Sequence, residues 1–358
     1  MNFDFSDDLK MLRDQARKFL RDRAALASAR RVLEGSESYD RALWREMAGM
    51  GWVGAAIPEE YGGAGLGHLG LCVLAEEIGY ALAAVPFSSS VYLATEAILL
   101  AGSEAQKQRY LPKLASGEII GTLALAEGPG AVDAKKMRVS AGEGHLYGIK
   151  MPVPDGDVAD FAVVAARGGE RLLSLFIVEL DRAGVSRTVI ETVDPSRSHA
   201  RIVFDGASAE PLGAASEGAA LLRRIFDRAA VLMAFEQVGG AQASLDMAKA
   251  YALERYAFGR PIGSFQAIKH KLADVYVATE LARSNAYYGA WALSQDAAEL
   301  PVAAAAARVA ASEAFSLASK ENIQTHGGMG FTWAFDCHLY YRRAKLLSLA
   351  LGSPREWK

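Results

Sequence analysis

The sequence of 358 residues has few of the groups that support disulfide, metal or membrane chemistry. Its two cysteines, Cys72 and Cys337, fall outside any C-x-x-C spacing, which argues against a zinc site and a disulfide framework. The six histidines never occur at metal-ligand spacing, so we expect no metal. The acidic start of the chain does not resemble a signal peptide, and no run of about 18 apolar residues is evident. We therefore expect a cytoplasmic protein without a membrane span.

An excess of charge and the common catalytic motifs are also missing. Lysine and arginine total 39 against 42 acidic residues, a formal net charge of −3, which does not favour nucleic-acid binding. The chain contains no P-loop, H-E-x-x-H, EF-hand or G-x-S-x-G motif. The run GLGHLG at 65–70 spells G-x-G-x-x-G, but no predicted strand precedes it, which disfavours a Rossmann domain.

The periodicity of apolar residues changes twice along the chain. It is helical from Phe5 to about Ser116. Short runs rich in β-forming residues follow, separated by Gly, Pro and Asp, and they predict an antiparallel β domain. Helical spacing then returns over roughly 217–257, 264–297, 300–327 and 332–351, as in an antiparallel bundle. We predict a multi-domain α+β protein with an N-terminal helical domain (1–116), a middle antiparallel β domain (117–212) and a C-terminal four-helix bundle (213–358).

Two segments of the last region have the residues of a ligand site. In YALERYAFGRPIGSFQ, Arg255 and Arg260 bracket a turn next to a helix N-terminus, an arrangement that holds phosphates. A solvated charge at a helix end is an equally good explanation of this segment alone. In QTHGGMGFTW, the double glycine is either a helix stop, which we favour for the segment alone, or a close backbone approach to a ligand.

Taken together, four segments resemble landmarks of the acyl-CoA dehydrogenase family: PEEYGGAGLG, QKQRYLPKLASGEIIGTLALAE, the R-x-x-F-G-x-x-I-G-x-F-Q run and QTHGGMGFTW. The resemblance covers nearly the whole chain and matches the α, β, α plan. It implies the acyl-CoA dehydrogenase fold, with FAD bound between the β domain and the bundle and across a subunit interface. It also implies dimers paired into a tetramer, an acyl-CoA substrate, and an electron-transfer flavoprotein as the electron acceptor.

The resemblance assigns cofactor contacts residue by residue. Arg255, Phe258 and Gln266 match the positions that hold the adenine dinucleotide of a neighbouring subunit's flavin. Gln324 and Gly328 match its second contact strip. A guanidinium on pyrophosphate and a glycine that admits close backbone approach are the roles expected there.

The family's catalytic base is missing from both of its usual positions. Leu351 stands where the common glutamate precedes a Gly-Thr pair, and Ala229 stands where the isovaleryl and long-chain branches place theirs. Glu236 lies seven residues after Ala229, on the same helix face, within the apolar run MAFEQVGGA. We name Glu236 as the candidate catalytic base. The alternative is a structural glutamate hydrogen-bonded within the bundle or across an interface.

The flavin-ring contacts also depart from the family pattern. KMPVPDG places Pro152 and Pro154 where the family commonly has Trp-Ile-Thr, and proline supplies no donor. The loop AEGPGAVDA keeps Glu127 and Asp133 but lacks the family's usual T-E-P-G-A-G-S-D motif.

Three functions remain open. The leading hypothesis is an FAD-dependent acyl-CoA dehydrogenase that desaturates the α,β bond of an acyl-CoA thioester. The departures also resemble bacterial enzymes of sterol and bile-acid side-chain breakdown, some of which are α2β2 heterotetramers, so the alternative is a non-catalytic subunit that completes a partner's flavin site. A related flavin monooxygenase or nitroalkane-oxidising enzyme is the third. Gly239 and Gly240 either make room for a bulky acyl group or permit close helix packing.

Overall fold

The computed structural model describes residues 5–23, 25–130, 132, 136–168, 172–215 and 217–358. The described residues group into two compact units. Within the described residues, one unit consists of 5–31, 68–83 and 230–358, and the other of 32–67 and 84–229.

The first third of the chain is helical, as the periodicity predicts. Its helices are α1 (Asp7–Asp22), α2 (Ala25–Glu34), α3 (Arg41–Gly49), α4 (Gly67–Tyr80), α5 (Glu96–Ala101) and α6 (Glu104–Ala115), with a π-helical segment, Ser88–Thr95, leading into α5. Side-chain hydrogen bonds cap the N-termini of several of these helices. Asp40 accepts the Leu43 N–H at 2.9 Å, and Ser103 forms a reciprocal capping box with Gln106 at the start of α6.

The glycine-rich loop before α4 is a tight turn, and the element before it is the short helical turn Glu59–Tyr61 and not a strand. Gly62, Gly65 and Gly67 have φ values of 78°, 62° and 66°, which side chains rarely adopt. A Cβ atom on Gly63 would lie 1.9 Å from the Ile57 carbonyl oxygen. The turn therefore requires glycine for backbone reasons alone.

The middle region is one sheet with strands β1 (Gly121–Ala124), β2 (Ser140–Gly142), β3 (His145–Pro154), β4 (Phe161–Arg167), β5 (Leu173–Glu179), β6 (Val185–Val189), β7 (His199–Ser208) and β8 (Glu210–Leu212). The strand order is β6-β7-β3-β2-β4-β5-β8, and β1 also pairs with β4. Most pairings are antiparallel, but β1–β4 and β2–β4 are parallel. The sheet is thus mixed and not purely antiparallel as predicted, because the chain crosses over between β1 and β4 and cannot reverse in a hairpin there.

The last region forms the helical bundle, with α7 (Gly218–Glu254), a short hairpin of β9 (Tyr256–Ala257) and β10 (Arg260–Pro261), α8 (Gln266–Ser294), α9 (Leu300–His326) and α10 (Cys337–Leu349). Helix α9 packs against both α8 and α10. The predicted fold class is confirmed, whereas the domain limits after 116 and 212, which fall beside the ends of α6 and β8, stay a prediction.

Within the described residues, one helical segment, 300–331, is long and apolar enough to cross a bilayer by length and composition. The apolar runs of the sequence predicted no such segment. Half of its most apolar window is buried inside the protein, which is typical of a core helix and makes this weak evidence for a membrane span.

Candidate functional site

The first group of predicted cofactor residues lies around the hairpin that follows α7. Ala257 pairs with Arg260, so Phe258 and Gly259 form a two-residue turn with φ values of 52° and 76°. A positive φ is uncommon for an aromatic residue, and the Phe258 side chain is 95% exposed. The hairpin therefore presents an apolar ring to solvent at some cost in backbone energy.

Arg255 and Gln266 are joined through this hairpin. The Ile262 N–H donates to the Arg255 carbonyl oxygen at 2.7 Å, just before α8 begins at Gln266. The N-cap residue of α8, Phe265, has no side-chain acceptor, so the first N–H groups of this long helix are uncapped. The positive end of α8 thus lies next to an arginine.

The polar groups at this turn have unused bonding capacity. Arg255 and Gln266 are exposed, and no described residue provides a hydrogen-bond or ion-pair partner for either side chain. The Ser264 hydroxyl is buried and also lacks a partner among the described residues. A guanidinium, a buried hydroxyl and free helix N–H groups fit the pyrophosphate of a dinucleotide.

The second predicted strip lies at the end of α9. The helix stops at His326, and the Gly327 N–H donates to the Gln324 carbonyl oxygen. A Cβ atom on Gly328 would meet nothing within 4 Å, so no neighbouring group in the described chain requires glycine there. The double glycine therefore follows a helix stop, the explanation that the segment alone favours. The backbone at Gly328 is also open to a ligand, so the second explanation fits as well.

Two contacts hold the strips together. The ring of Tyr251, in the last turn of α7, stacks on His326 with 4.1 Å between centroids. Lys271, near the start of α8, lies 3.3 Å from Glu321 near the end of α9. The five predicted cofactor residues consequently lie at the same end of α7, α8 and α9.

The candidate base is placed in the core. Glu236 has no exposed surface, and its Oε1 lies 3.8 Å from a guanidinium nitrogen of Arg343, which is 1% exposed. Its backbone lies against α4, since a Cβ atom on Gly79 would come within 1.9 Å of the Glu236 carbonyl oxygen. This is the environment of a buried ion pair, the structural alternative raised from the sequence.

The two usual base positions contain buried apolar side chains. Ala229 has no exposed surface and Leu351 is 3% exposed. The Leu351 carbonyl oxygen accepts a hydrogen bond from the Trp357 indole at 2.9 Å, which fixes the chain after α10. No proton acceptor is present at either position.

The glycine pair on α7 is explained by packing. A Cβ atom on Gly239 would lie 1.9 Å from the Glu76 carbonyl oxygen of α4. On Gly240 it would lie 2.4 Å from the Phe315 ring of α9. The two glycines let neighbouring helices approach, so neither marks an open acyl pocket.

In the other unit, the predicted flavin-facing segments lie against each other. Pro152 is exposed on β3, and the preceding Lys150 is fully buried. Lys150 Nζ donates to Glu127 at 3.0 Å and to the Leu125 carbonyl oxygen at 2.8 Å. Asp133, the other acidic residue of this loop, lies outside the described residues.

Burial and pairing perturb both ionisable groups. Burial lowers the pKa of Lys150 to about 8, although the Glu127 carboxylate opposes this shift. Burial tends to raise the pKa of Glu127, but hydrogen bonds from the Val139 and Arg138 N–H groups, together with Lys150, hold it below its usual value. Beside this pair lies a cavity of about 340 Å³ lined by Leu125, Glu127–Gly130, Val132 and Lys136–Arg138.

Sequence reasoning missed the buried cations Lys150, Arg308 and Arg343. Arg308, in the middle of α9, is fully buried and donates to Gln237 at 2.8 Å and to the Leu347 carbonyl oxygen. Burial lowers its pKa to about 10. The available signal was a charged residue inside an apolar run, which requires a buried partner. Among the described residues, no group of three or more His, Cys, Asp or Glu side chains could hold a metal ion.

Comparisons with known proteins support the family resemblance seen in the sequence. Residues 6–118 match the family model "Acyl-CoA dehydrogenase, N-terminal domain", and residues 216–354 match "Acyl-CoA dehydrogenase, C-terminal domain". The acyl-CoA dehydrogenase IpdE2 of Mycobacterium tuberculosis is 36% identical, with 98% of this chain and 95% of that protein covered.

Solved structures share the fold over the whole length. A variant of the Tcur3481–Tcur3483 steroid ACAD superimposes with a TM-score of 0.89 at 34% identity, covering 98% of this chain and 95% of that one. A chain in the structure of the electron transferring flavoprotein of Acidaminococcus fermentans has a TM-score of 0.92 at 27% identity, covering 100% and 97%.

Proposed function

Since the chain belongs to the acyl-CoA dehydrogenase family, we propose that it desaturates the α,β bond of an acyl-CoA thioester and passes the electrons to an electron-transfer flavoprotein. Members of this family are FAD-dependent oxidoreductases that act on CH–CH bonds. Bound FAD supplies the two-electron acceptor for this oxidation. The similarity to a chain in the electron transferring flavoprotein structure supports the proposed electron acceptor.

The observation that supports cofactor binding is the exposed set of Arg255, Gln266, Gln324 and Gly328 at the same end of α7, α8 and α9. We assign Arg255 and the N-terminus of α8 to the pyrophosphate, since both are electropositive and have no described partner. Gln324 and Gly328 contribute an amide and an open backbone to the same ligand. Phe258, exposed at the hairpin tip, contributes apolar contact to the cofactor or to the subunit that carries it.

The proton acceptor of this chain, in the homomeric form of the proposal, is Glu236. A base must come within hydrogen-bond reach of the proton that it removes, so Glu236 would have to exchange its contact with Arg343 for one with substrate. Arg343 would then orient the carboxylate between turnovers.

A second function is favoured by a specific observation. Both usual base positions are buried and apolar, and Glu236 is fully buried beside Arg343. A chain of this kind would complete a flavin site whose base comes from a second family member. The paired name of the Tcur3481–Tcur3483 steroid ACAD supports a heteromer, and its steroid designation supports a bulky, polycyclic acyl group as substrate. We place the protein in the cytoplasm.

The deciding measurement is the flavin content per chain of the protein purified alone, read from its absorption spectrum. One flavin per chain supports the homomeric enzyme, and little or none supports an obligate partner. Arg255→Gln is expected to weaken FAD binding at least tenfold, because the guanidinium contact with pyrophosphate is lost. Arg224→Gln, at an exposed arginine elsewhere on α7, is the matched control and should leave FAD binding unchanged.

The identity of the base is tested by Glu236→Gln in the flavin-loaded protein. A fall in kcat of at least a hundredfold with a normal flavin spectrum is expected if Glu236 removes the proton. Glu280→Gln, which alters a half-exposed carboxylate 3.2 Å from Arg283, is the control. Unchanged turnover in Glu236→Gln would contradict the assignment and transfer the base to a partner chain.

A further inference from the structure

A cavity of about 380 Å³ lies between the start of α3, the turn after α6 and the segment that leads into β4. All of these elements belong to the compact unit that contains the sheet. The cavity walls include the side chains of Tyr39, Trp44 and Ile120, which are only 8%, 3% and 5% exposed. None of the residues assigned to the cofactor lines this cavity. A concave space of this size accommodates a small-molecule ligand.

Hydrogen bonds and close packing fix the walls of the cavity. The Trp44 indole N–H donates to the Gly117 carbonyl oxygen at 3.2 Å and so joins α3 to the turn after α6. Gly117 has a φ value of 68°, and a Cβ atom on it would lie 2.6 Å from the Ala48 Cβ, so this turn requires glycine. Asp160 accepts the Ile120 N–H on Oδ2 at 2.7 Å, and its own N–H donates to the Ile120 carbonyl oxygen at 2.7 Å. The cavity is therefore built into the fold.

Two arginines of α3 line the cavity. Arg41 and Arg45 are four residues apart, which places them one turn apart on the same helix face, where like charges repel. Both are exposed, and no described residue provides a hydrogen-bond or ion-pair partner for either guanidinium. The Arg41 guanidinium lies over the Tyr39 ring, 5.2 Å from its centroid, a contact that favours one position of this side chain. An anion bound between the two guanidiniums would compensate both charges.

The Tyr39 hydroxyl adds a hydrogen-bond donor to the same cavity. Burial raises the pKa of this hydroxyl above its ordinary value of 10.0; Arg41 and Arg45 oppose the shift, and Asp160 adds to it. The hydroxyl is therefore protonated at neutral pH and can donate. Within the described part of the chain it has no hydrogen-bond partner. The cavity thus combines two cationic groups with a neutral donor.

A carboxylate of the same cavity narrows the class of ligand. Asp160 uses Oδ2 for the Ile120 N–H, whereas no group of the described chain bonds to its Oδ1. A carboxylate oxygen accepts from a hydroxyl group and repels a bare anion. Glu118, the other acidic residue of the lining, is paired with Lys113 at 3.8 Å. A ligand that satisfies this cavity therefore carries a hydrogen-bond donor beside its anionic group.

We propose that this cavity binds a phosphate monoester whose organic part carries a hydroxyl group. The phosphate lies between Arg41 and Arg45, because the planar forks of two guanidiniums one turn apart match one doubly charged group. A dicarboxylate has its two charges on separate carbon atoms and matches this pair less well. The Tyr39 hydroxyl donates to a phosphate oxygen, and Asp160 accepts from the ligand hydroxyl. This site shares no residue with the proposed cofactor site, so it does not depend on FAD binding.

The test is isothermal titration calorimetry of the full-length protein with glycerol 3-phosphate. We expect one molecule per chain to bind with a Kd below about 1 mM. Arg41→Gln and Arg45→Gln should each raise this Kd about tenfold or more, because a charge-assisted contact with the phosphate is lost. Arg224→Gln, at an exposed arginine of the same unit, is the matched control and should leave the Kd unchanged.

Further titrations test the class of ligand. Glycerol, which lacks the phosphate, should not bind, and succinate, a dicarboxylate, should bind more weakly than glycerol 3-phosphate. Asp160→Asn should tighten the binding of inorganic phosphate, because a repulsive charge is removed, and should reduce the preference for glycerol 3-phosphate over inorganic phosphate. Equal tightening of both ligands would overturn the contact between Asp160 and the ligand hydroxyl.

The remaining outcomes decide the location of the site. No saturable binding of glycerol 3-phosphate, or an unchanged Kd in both Arg41→Gln and Arg45→Gln, would overturn the proposal. Tighter binding of succinate would overturn the assignment to a phosphate. Binding that is lost in Arg255→Gln and kept in Arg45→Gln would also overturn it, because the phosphate would then lie with the proposed cofactor residues.

Discussion

Replacing Arg343 with methionine tests whether Glu236 has a structural partner. The two side chains are 1% and 0% exposed, with 3.8 Å between the guanidinium nitrogen and the carboxylate oxygen. With an effective dielectric constant of about 20, two unit charges at this distance attract by about 4 kcal/mol. Desolvation offsets much of this, but removing one partner leaves a buried charge uncompensated and typically costs about 3–5 kcal/mol. That loss is a large share of a total stability of about 5–15 kcal/mol.

The assay is chemical denaturation followed by tryptophan fluorescence on Arg343→Met, Glu236→Gln and the double variant. Each single variant should lose about 3–5 kcal/mol of unfolding free energy, and the double variant should lose less than the sum, because no lone charge remains. Arg21→Met removes an exposed pair with Asp22 and should change the unfolding free energy by less than about 0.5 kcal/mol. A coupling energy below about 0.5 kcal/mol would refute the reasoning and leave Glu236 energetically independent of Arg343.

Two further predictions follow from the packing and the buried lysine. Gly239→Ala should lower the unfolding free energy measured by chemical denaturation by about 1–3 kcal/mol, because its Cβ would lie 1.9 Å from the Glu76 carbonyl oxygen. Gly49→Ala is the control and should be neutral or stabilising, because a Cβ atom there would meet nothing within 4 Å. Equal effects of the two substitutions would contradict the packing argument. The folded-state pKa of Lys150, about 8, lies below its ordinary value of 10.5, so the unfolded state binds more protons between these pH values. This group's contribution to the unfolding free energy should therefore rise with pH across that window, and a wild-type pH dependence equal to that of Lys150→Met would contradict the assigned shift.

The helices of the bundle could be predicted closely because their signals are local. The ranges 217–257, 264–297 and 300–327 correspond to α7, α8 and α9 within a few residues at each end. Each signal spans only a few neighbouring residues: the periodic apolar positions, the break at Phe258–Gly259 and the glycines after His326. The mixed sheet could not be predicted in the same way, since the parallel partner of β1 lies about 40 residues along the chain.

For the candidate site too, some features follow from the sequence alone and others depend on the tertiary structure. The sequence by itself determined which residue types stand at the cofactor and base positions: an arginine at 255, a glycine at 328, and no carboxylate at 229 or 351. Side-chain chemistry is a property of the residue, so no structure is needed to exclude leucine as a proton acceptor.

Only the tertiary structure decided what the charged residues and the packed glycines of the core contact. Glu236 is next to Arg343, Lys150 is next to Glu127, and Gly239 is next to the backbone of α4, all across separations of more than 20 residues. Burial and pairing depend on which distant segments fold together, and they decide whether a carboxylate is a solvated charge, a base or half of an ion pair.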